Sequence, residues 1–150
     1  MCLSRKVKGI QVDTCEPLHF PSPWPPPESP DNNLLASIEK QIVDQLTARS
    51  CLNNLNNWPD SRRRQIAQLI SDAIKAEKDL SNVQIHPNDP IELLFWGAND
   101  DMSALVFSLV LQKQYGIKLT SQDFHMLWRQ HATTSDLIEF CLRNYCLADH

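Results

Sequence analysis

Residues 101–116 read DMSALVFSLVLQKQYG, and no charged side chain occurs between positions 102 and 112. Apolar residues recur there at helical spacing, which predicts a helix from about Asp101 to Tyr115 with Gly116 as its C-cap. The apolar residues form two stripes. The first stripe is Met102, Leu105, Val106, Leu109 and Val110, and the second is Ala104, Phe107, Leu111 and Tyr115. Two stripes on one helix predict two apolar neighbours, of which one is the domain core.

The rest of the chain also carries helical periodicity. A helix over about 34–49 follows Asp31 as a possible cap, and a second helix over about 60–78 has a one-sided apolar stripe from Ile66 to Ile74. Thr120 with Asp123 predicts the capped start of a short helix, and a last helix is predicted over about 135–146. With only 3 glycines in 150 residues, a fold rich in tight turns is disfavoured. The predicted fold class is all-α.

Two segments between and before these helices are not helical by pattern. Residues 79–100 form a long loop whose apolar cluster, Leu94, Phe95 and Trp96, should be buried on the core. Residues 1–30 hold seven of the 10 prolines and form a Pro-rich tail. This tail is expected to be a flexible leader or a strap laid on the domain by Phe20 and Trp24, and its segment 21–27 could be a ligand for an aromatic-lined groove.

The predicted organisation is therefore a tail over 1–30, an extra helix and linker over 31–57, and a helical bundle over 58–150. Three short motifs lie in this bundle. They are GANDDM at 97–102, YGIKL at 115–119 and ATTSDLI at 132–138. In this order they resemble the acyl carrier protein family, whose members are four-helix bundles with a long apolar loop after the first helix. The resemblance covers about 90 residues and implies a carrier-protein-like bundle preceded by one extra helix.

The family attaches 4′-phosphopantetheine to a serine hydroxyl at the start of the bundle's second helix. Counting back from Tyr115 without a gap places Asp101 at that position, and a carboxylate cannot accept the group. Ser103 is the nearest hydroxyl, but placing it there turns the helix by about 200° and misplaces both stripes. The resemblance thus implies a chain without a prosthetic group. The alternative is a working acyl or peptidyl carrier modified with 4′-phosphopantetheine on Ser103.

The predicted function is a non-catalytic interaction module. Its contact surface would be Asp101, Met102, Leu105, Val106 and Leu109, binding a protein partner or a second copy. Carrier proteins offer acidic residues to their enzymes along this helix, whereas residues 102–112 are uncharged, so electrostatic steering is not expected. The other use of the stripe is burial under residues 31–57, which would explain the extra helix.

Other function classes find little support in the sequence. Catalysis could involve side chains of five residues, but no nucleophile motif joins them. These are His86, His125, His131, Cys141 and Asp123. A metal site from Cys141, Cys146 and His150, completed by His125 or His131, is not expected either. Ligands five residues apart on a helix point about 140° away from each other.

Partners other than proteins are also disfavoured. A role in binding nucleic acid would rest on Arg62, Arg63 and Arg64, but the net charge of −4 opposes it. No run of 18 apolar residues predicts a membrane span. The first residues lack the apolar core of a signal peptide, and the five cysteines show no paired spacing. These features predict a cytoplasmic protein with reduced thiols.

Overall fold

The protein is all-α, as the periodicity predicts. A computed structural model describes residues 16–49, 58–96 and 102–148, and in these ranges it contains six helices and no strand. The helices are α1 (Asn32–Ala48), α2 (Ser61–Lys78), α3 (Ile91–Leu94), α4 (Met102–Tyr115), α5 (Ser121–Arg129) and α6 (Thr134–Ala148). None of the helices in the described ranges is long and apolar enough to cross a bilayer.

Local capping residues set the helix starts. The carboxylate of Asp31 accepts the backbone N–H of Leu34 at the start of α1, at 2.7 Å. At α5 the Thr120 side chain accepts the Asp123 N–H, and the Asp123 carboxylate accepts the Thr120 N–H, so the predicted capping box is present. Gly116 ends α4 with φ +68°, a left-handed conformation that glycine adopts without strain.

The core gathers one face from each long helix. α2 packs mainly against α4 and to a smaller extent against α6. The stripe of α2 is buried as predicted, apart from Leu69, which is half-buried. The fully buried side chains of the other helices line the same core. These are Ile38, Ile42 and Leu46 of α1, Phe107 and Leu111 of α4, and Leu137, Ile138 and Cys141 of α6.

The apolar cluster before α4 docks on this core. Leu94 and Phe95 are buried as predicted, whereas Trp96 is only half-buried. The cluster is held by the short helix α3, which the sequence pattern does not reveal because four residues are too few to show a period. The Ile91 N–H donates to the Ala132 carbonyl at 3.1 Å, and this bond pins α3 next to the start of α6.

Residues 16–30 pack along the helical body, and we call them the strap. They form no helix, as their prolines require, and the backbone bends at residues 22–25 and 28–29. Leu18 is the anchor, only 4% exposed within the core. Trp24 packs against Trp96 with ring centroids 5.3 Å apart, whereas Phe20, the other expected anchor, is 51% exposed.

Candidate functional site

The outer face of α4 is the predicted contact surface, and the helix geometry explains its exposure. Ala104, Phe107 and Leu111 recur at three- and four-residue spacing and are buried, since this side of α4 faces the core and α2. Leu105, Val106 and Leu109 point the other way and are 52%, 38% and 58% exposed. We call these three residues the outer face of α4. They are three of the four exposed large apolar side chains in the described ranges; Phe20 is the other.

The expected burial of this face under residues 31–57 does not occur for these three residues. α1 turns its own apolar residues, Ile38, Ile42 and Leu46, into the core beside α2 and the strap. The extra helix therefore completes the core and leaves the outer face of α4 in solvent. Residues 50–57 lie outside the described ranges.

Met102 of the predicted surface and Ser103, the alternative attachment residue, are the first two residues of α4. Asp101 lies outside the described residues. α4 begins at Met102, so Ser103 belongs to its first turn, but the side chains of Met102 and Ser103 are outside the described part of the chain. The assignment of the attachment position to Asp101 rather than Ser103 therefore stays a prediction from the sequence.

The outer face of α4 can bind by apolar burial alone. Lys113 is the first charge after the face, and it lies in the last turn, where the helix dipole favours a cation. Full burial of a Val or Leu side chain contributes about 1.5–3 kcal/mol, so three half-exposed side chains have roughly 2–4 kcal/mol left to gain. Such a surface adds affinity without long-range attraction.

Four of the five residues considered for catalysis are buried or make contacts within the fold, and the fifth, His125, lies on an exposed side of α5. Cys141 is fully buried on α6, and burial raises the pKa of its thiol to about 12, which keeps it neutral and unreactive. His131 is exposed and its Nδ1 lies 3.0 Å from the Glu92 carboxylate, while Asp123 caps α5. His86 Nδ1 accepts the Asn88 N–H. Within the described ranges, no three His, Cys, Asp or Glu side chains are grouped to hold a metal ion.

The basic cluster at the start of α2 is partly used inside the fold. Arg63 donates from Nε and Nη2 to the two carboxylate oxygens of Glu139 on α6, at 2.5 and 2.9 Å. It also pairs with Asp60, the N-cap of α2. The Arg63 hydrogen bonds hold the pKa of Glu139 below its usual value. The cluster's central arginine thus joins α2 to α6 and is not available as a phosphate contact.

Sequence reasoning missed a buried ion pair. The Arg49 and Asp89 side chains are 2% and 0% exposed and meet through two hydrogen bonds of 2.7 and 2.8 Å. Asp89 also accepts the backbone N–H groups of Leu18 and His86, each at 2.9 Å. Asp89 sits in a turn-like Asn-Asp-Pro sequence, and Arg49 is 40 residues away, so no local pattern connects them.

The same two residues tie further segments together, Arg49 through its guanidinium and Asp89 through its backbone carbonyl. Arg49 Nη1 donates to the Gln84 carbonyl and Nη2 to the Glu16 carbonyl, at 2.6 and 2.7 Å. The backbone carbonyl of Asp89 accepts both the N–H and the hydroxyl of Thr134, at the start of α6. This cluster, which we call the Asp89 node, is a structural element rather than a catalytic one, since its donors and acceptors are already paired with each other.

Comparisons of the chain with protein-family models, with curated proteins and with solved structures find no match. Functional conclusions therefore rest on the residues described above. Among them, the outer face of α4 is the feature that the fold itself does not use.

Proposed function

We propose that this chain is a non-catalytic helical interaction module that binds a partner protein through the outer face of α4. The observation that carries the proposal is the exposure of Leu105, Val106 and Leu109 side by side on a helix segment without charge. Three large apolar side chains on one uncharged turn-and-a-half of helix are typical of an interaction site.

The shape of the surface favours a different protein over a second copy. The outer face of α4 is a convex ridge, and two such ridges bury little area against each other. A stable dimer needs roughly 800 Å² from each partner. A concave apolar groove on a partner encloses more of the ridge, as in helix-in-groove recognition. The proposed partner therefore presents an apolar groove of neutral character.

The arrangement of the helices supports a carrier-protein-like bundle over 61–148. α2, the long segment containing α3, α4, the short α5 and α6 follow each other in the order that the resemblance implies. The proposal is a bundle of this type without a phosphopantetheine arm, because Asp101 occupies the position of the attachment serine in the ungapped comparison. In this family the same helix meets partner enzymes, which agrees with the use of α4 proposed here.

The absence of the arm is tested by mass spectrometry. The full chain is incubated with coenzyme A and a phosphopantetheinyl transferase, beside the Ser103→Ala variant. We expect no mass increase in either chain. An added phosphopantetheine on the wild-type chain that is missing in Ser103→Ala would establish the alternative function, a carrier modified on Ser103.

The α4 surface is tested by site-specific crosslinking. A photoreactive phenylalanine analogue at position 109 is crosslinked in an extract of the source cells, with the same analogue at exposed Gln112 as the control. The partner identified at 109 is then purified. Its affinity is measured for wild type, for Leu105→Asp/Leu109→Asp and for the charge-matched control Gln112→Asp/Gln114→Asp.

The two double variants are expected to differ in their affinity for the partner. The face variant should lose at least tenfold in affinity, because it loses apolar burial of two side chains and must desolvate two charges. The control should stay within about twofold of wild type. Equal affinities of the two variants would refute the proposal, and crosslinks exclusively between copies of this chain would replace the partner protein by a second copy.

A further inference from the structure

The strap is held mainly through its backbone. Gln45 donates from Nε2 to the carbonyl of His19 at 2.9 Å, and its Oε1 accepts the His19 N–H at 2.7 Å. Gln41 forms the same pair of bonds with Ser22, at 3.2 and 3.1 Å. In both pairs a side-chain amide takes the place of a neighbouring strand, so the contact does not depend on which residue the strap carries at 19 or 22.

A third contact with the strap backbone lies at the C-cap of α1, where Arg49 Nη2 donates to the Glu16 carbonyl at 2.7 Å. We call Gln41, Gln45 and Arg49 the α1 ladder. Its members are four residues apart, one helical turn each, while their strap partners are three residues apart. Three residues per turn is the repeat of polyproline II, the conformation that the strap prolines favour.

Side-chain recognition is concentrated at two strap positions that are three residues apart. Leu18 is buried in the core, and its N–H donates to Asp89 Oδ1 at 2.9 Å. Pro21 is buried as well, and Trp24 adds a partly buried ring contact, whereas the side chains of His19 and Ser22 are exposed. The surface beside α1 therefore binds the strap backbone at every third residue and buries a leucine and a proline, which are the features of a peptide-binding groove.

We propose that this groove, formed by the α1 ladder and the Leu18 site, also binds residues 16–30 of a second copy of the chain by strap exchange. Because the same contacts form whichever copy supplies the strap, exchange costs little contact free energy when two copies form a dimer. The outer face of α4 takes no part in it, so this proposal stands independently of the proposed function.

The connection between strap and α1 permits the exchange. The strap runs antiparallel to α1, since Glu16, His19 and Ser22 meet Arg49, Gln45 and Gln41 in reverse order. To stay on its own α1, the chain must reverse its direction between Ser22 and Asn32, and it does so with bends at residues 22–25 and 28–29. A strap that enters a second copy needs no such reversal, because the connection can open while every contact between strap and α1 ladder is kept.

Mixing two full-length variants tests the exchange. Leu18→Asp disables the strap and keeps the groove, while Gln41→Ala/Gln45→Ala weakens the groove and keeps the strap. Neither variant alone should dimerise, but their equimolar mixture should form a heterodimer in sedimentation velocity, because the intact strap of one fits the empty groove of the other. Phe20→Asp, used in place of Leu18→Asp, is the charge-matched control: Phe20 is exposed, so this chain keeps a competent strap that competes for its own groove, and its heterodimer with Gln41→Ala/Gln45→Ala should be at least tenfold weaker.

A peptide measurement completes the test. A labelled peptide of residues 16–30 should bind the Leu18→Asp chain at least tenfold more tightly than it binds wild type, whose own strap competes at an effective concentration of about a millimolar. The Phe20→Asp peptide should bind like the natural one, and the Leu18→Asp peptide at least tenfold more weakly. Leu18→Ala is used if Leu18→Asp loses its helical circular dichroism. The proposal is overturned if no heterodimer forms or if the natural, Phe20→Asp and Leu18→Asp peptides bind with equal affinity. It is also overturned if both Leu18 variants unfold, because the fold then cannot form without Leu18 in its core.

Discussion

Replacing Asp89 with alanine is expected to destabilise the fold by about 5 kcal/mol. The change leaves the Arg49 guanidinium, 2% exposed, without its counter-ion, and breaking a buried pair in this way costs about 3–5 kcal/mol. It also removes the acceptor of the Leu18 and His86 N–H groups, and an unpaired buried donor costs about 1–3 kcal/mol. Water can enter the emptied site and partly solvate Arg49 and the two N–H groups, so the expected destabilisation is smaller than the sum of these separate costs.

The size of this effect is large compared with the stability of a domain. A chain of this length unfolds with about 5–15 kcal/mol, so Asp89→Ala should be marginally folded or unfolded at 37 °C. The assay is urea unfolding followed by circular dichroism at 25 °C, with the free energy extrapolated to water. A change of less than 1 kcal/mol, with an unchanged slope against urea, would refute the role assigned to the Asp89 node.

Two comparisons isolate the cause. Asp44→Ala removes an i,i+4 partner of Lys40 in a pair that is 60% and 76% exposed, so it should cost no more than about 0.5 kcal/mol. In a double-mutant cycle, Arg49→Ala/Asp89→Ala should be less destabilised than the sum of the single variants by about 2 kcal/mol or more. Strict additivity would mean that the two side chains do not stabilise each other.

Three further predictions follow from the core and its ion pairs. Phe95→Ala should lose about 3–5 kcal/mol in urea unfolding, because the ring is buried against Phe107 and Phe124; a loss below 1 kcal/mol would contradict its place in the core. Because Arg63 lowers the pKa of Glu139, the ion pair stabilises the fold above the ordinary Glu value of about 4.3 and is lost as pH falls through the lower folded value. Urea midpoints from pH 2.5 to 7 should therefore show Glu139→Gln below wild type at neutral pH and equal to it in acid, and a constant gap would argue against the pair. The Cys141 thiol, with its pKa raised to about 12, should resist iodoacetamide at pH 8 until urea is added, as read by peptide mass spectrometry; rapid labelling of the native chain would show that the site opens.

Features decided by neighbouring residues could be predicted from the sequence. Helix starts at Asp31 and Thr120 and the end at Gly116 follow from side chains and backbone within a turn of the boundary. The apolar spacing predicts both α2 and α4 as helices, and it predicts the inward face of α2. The burial of Leu94 and Phe95 is predicted because an apolar cluster of this size is unfavourable in water, and the structure confirms it.

Features that depend on distant residues could not be predicted in this way. Both stripes of α4 look alike in the sequence, and only the packing of α4 against α2 and Phe95 decides that Phe107 is buried while Leu109 is exposed. The strap position rests on Gln41 and Gln45, which read as ordinary polar residues of an exposed helix side. Their partners are 19 and 26 residues away, beyond the range of any periodic pattern.

The Asp89 node has a consequence for the order of folding. Its bonds span 71 residues to Leu18, 40 to Arg49 and 45 to Thr134, so three long chain closures must precede its completion. The packing of α2 on α4 brings two chain segments together, whereas the node needs four, so the contacts of α2 with α4 can form before it. The node should then be unformed in the transition state, and weakening it should accelerate unfolding while leaving the refolding rate almost unchanged. A single carboxylate would thereby set how long the native state lasts, rather than how quickly it is reached.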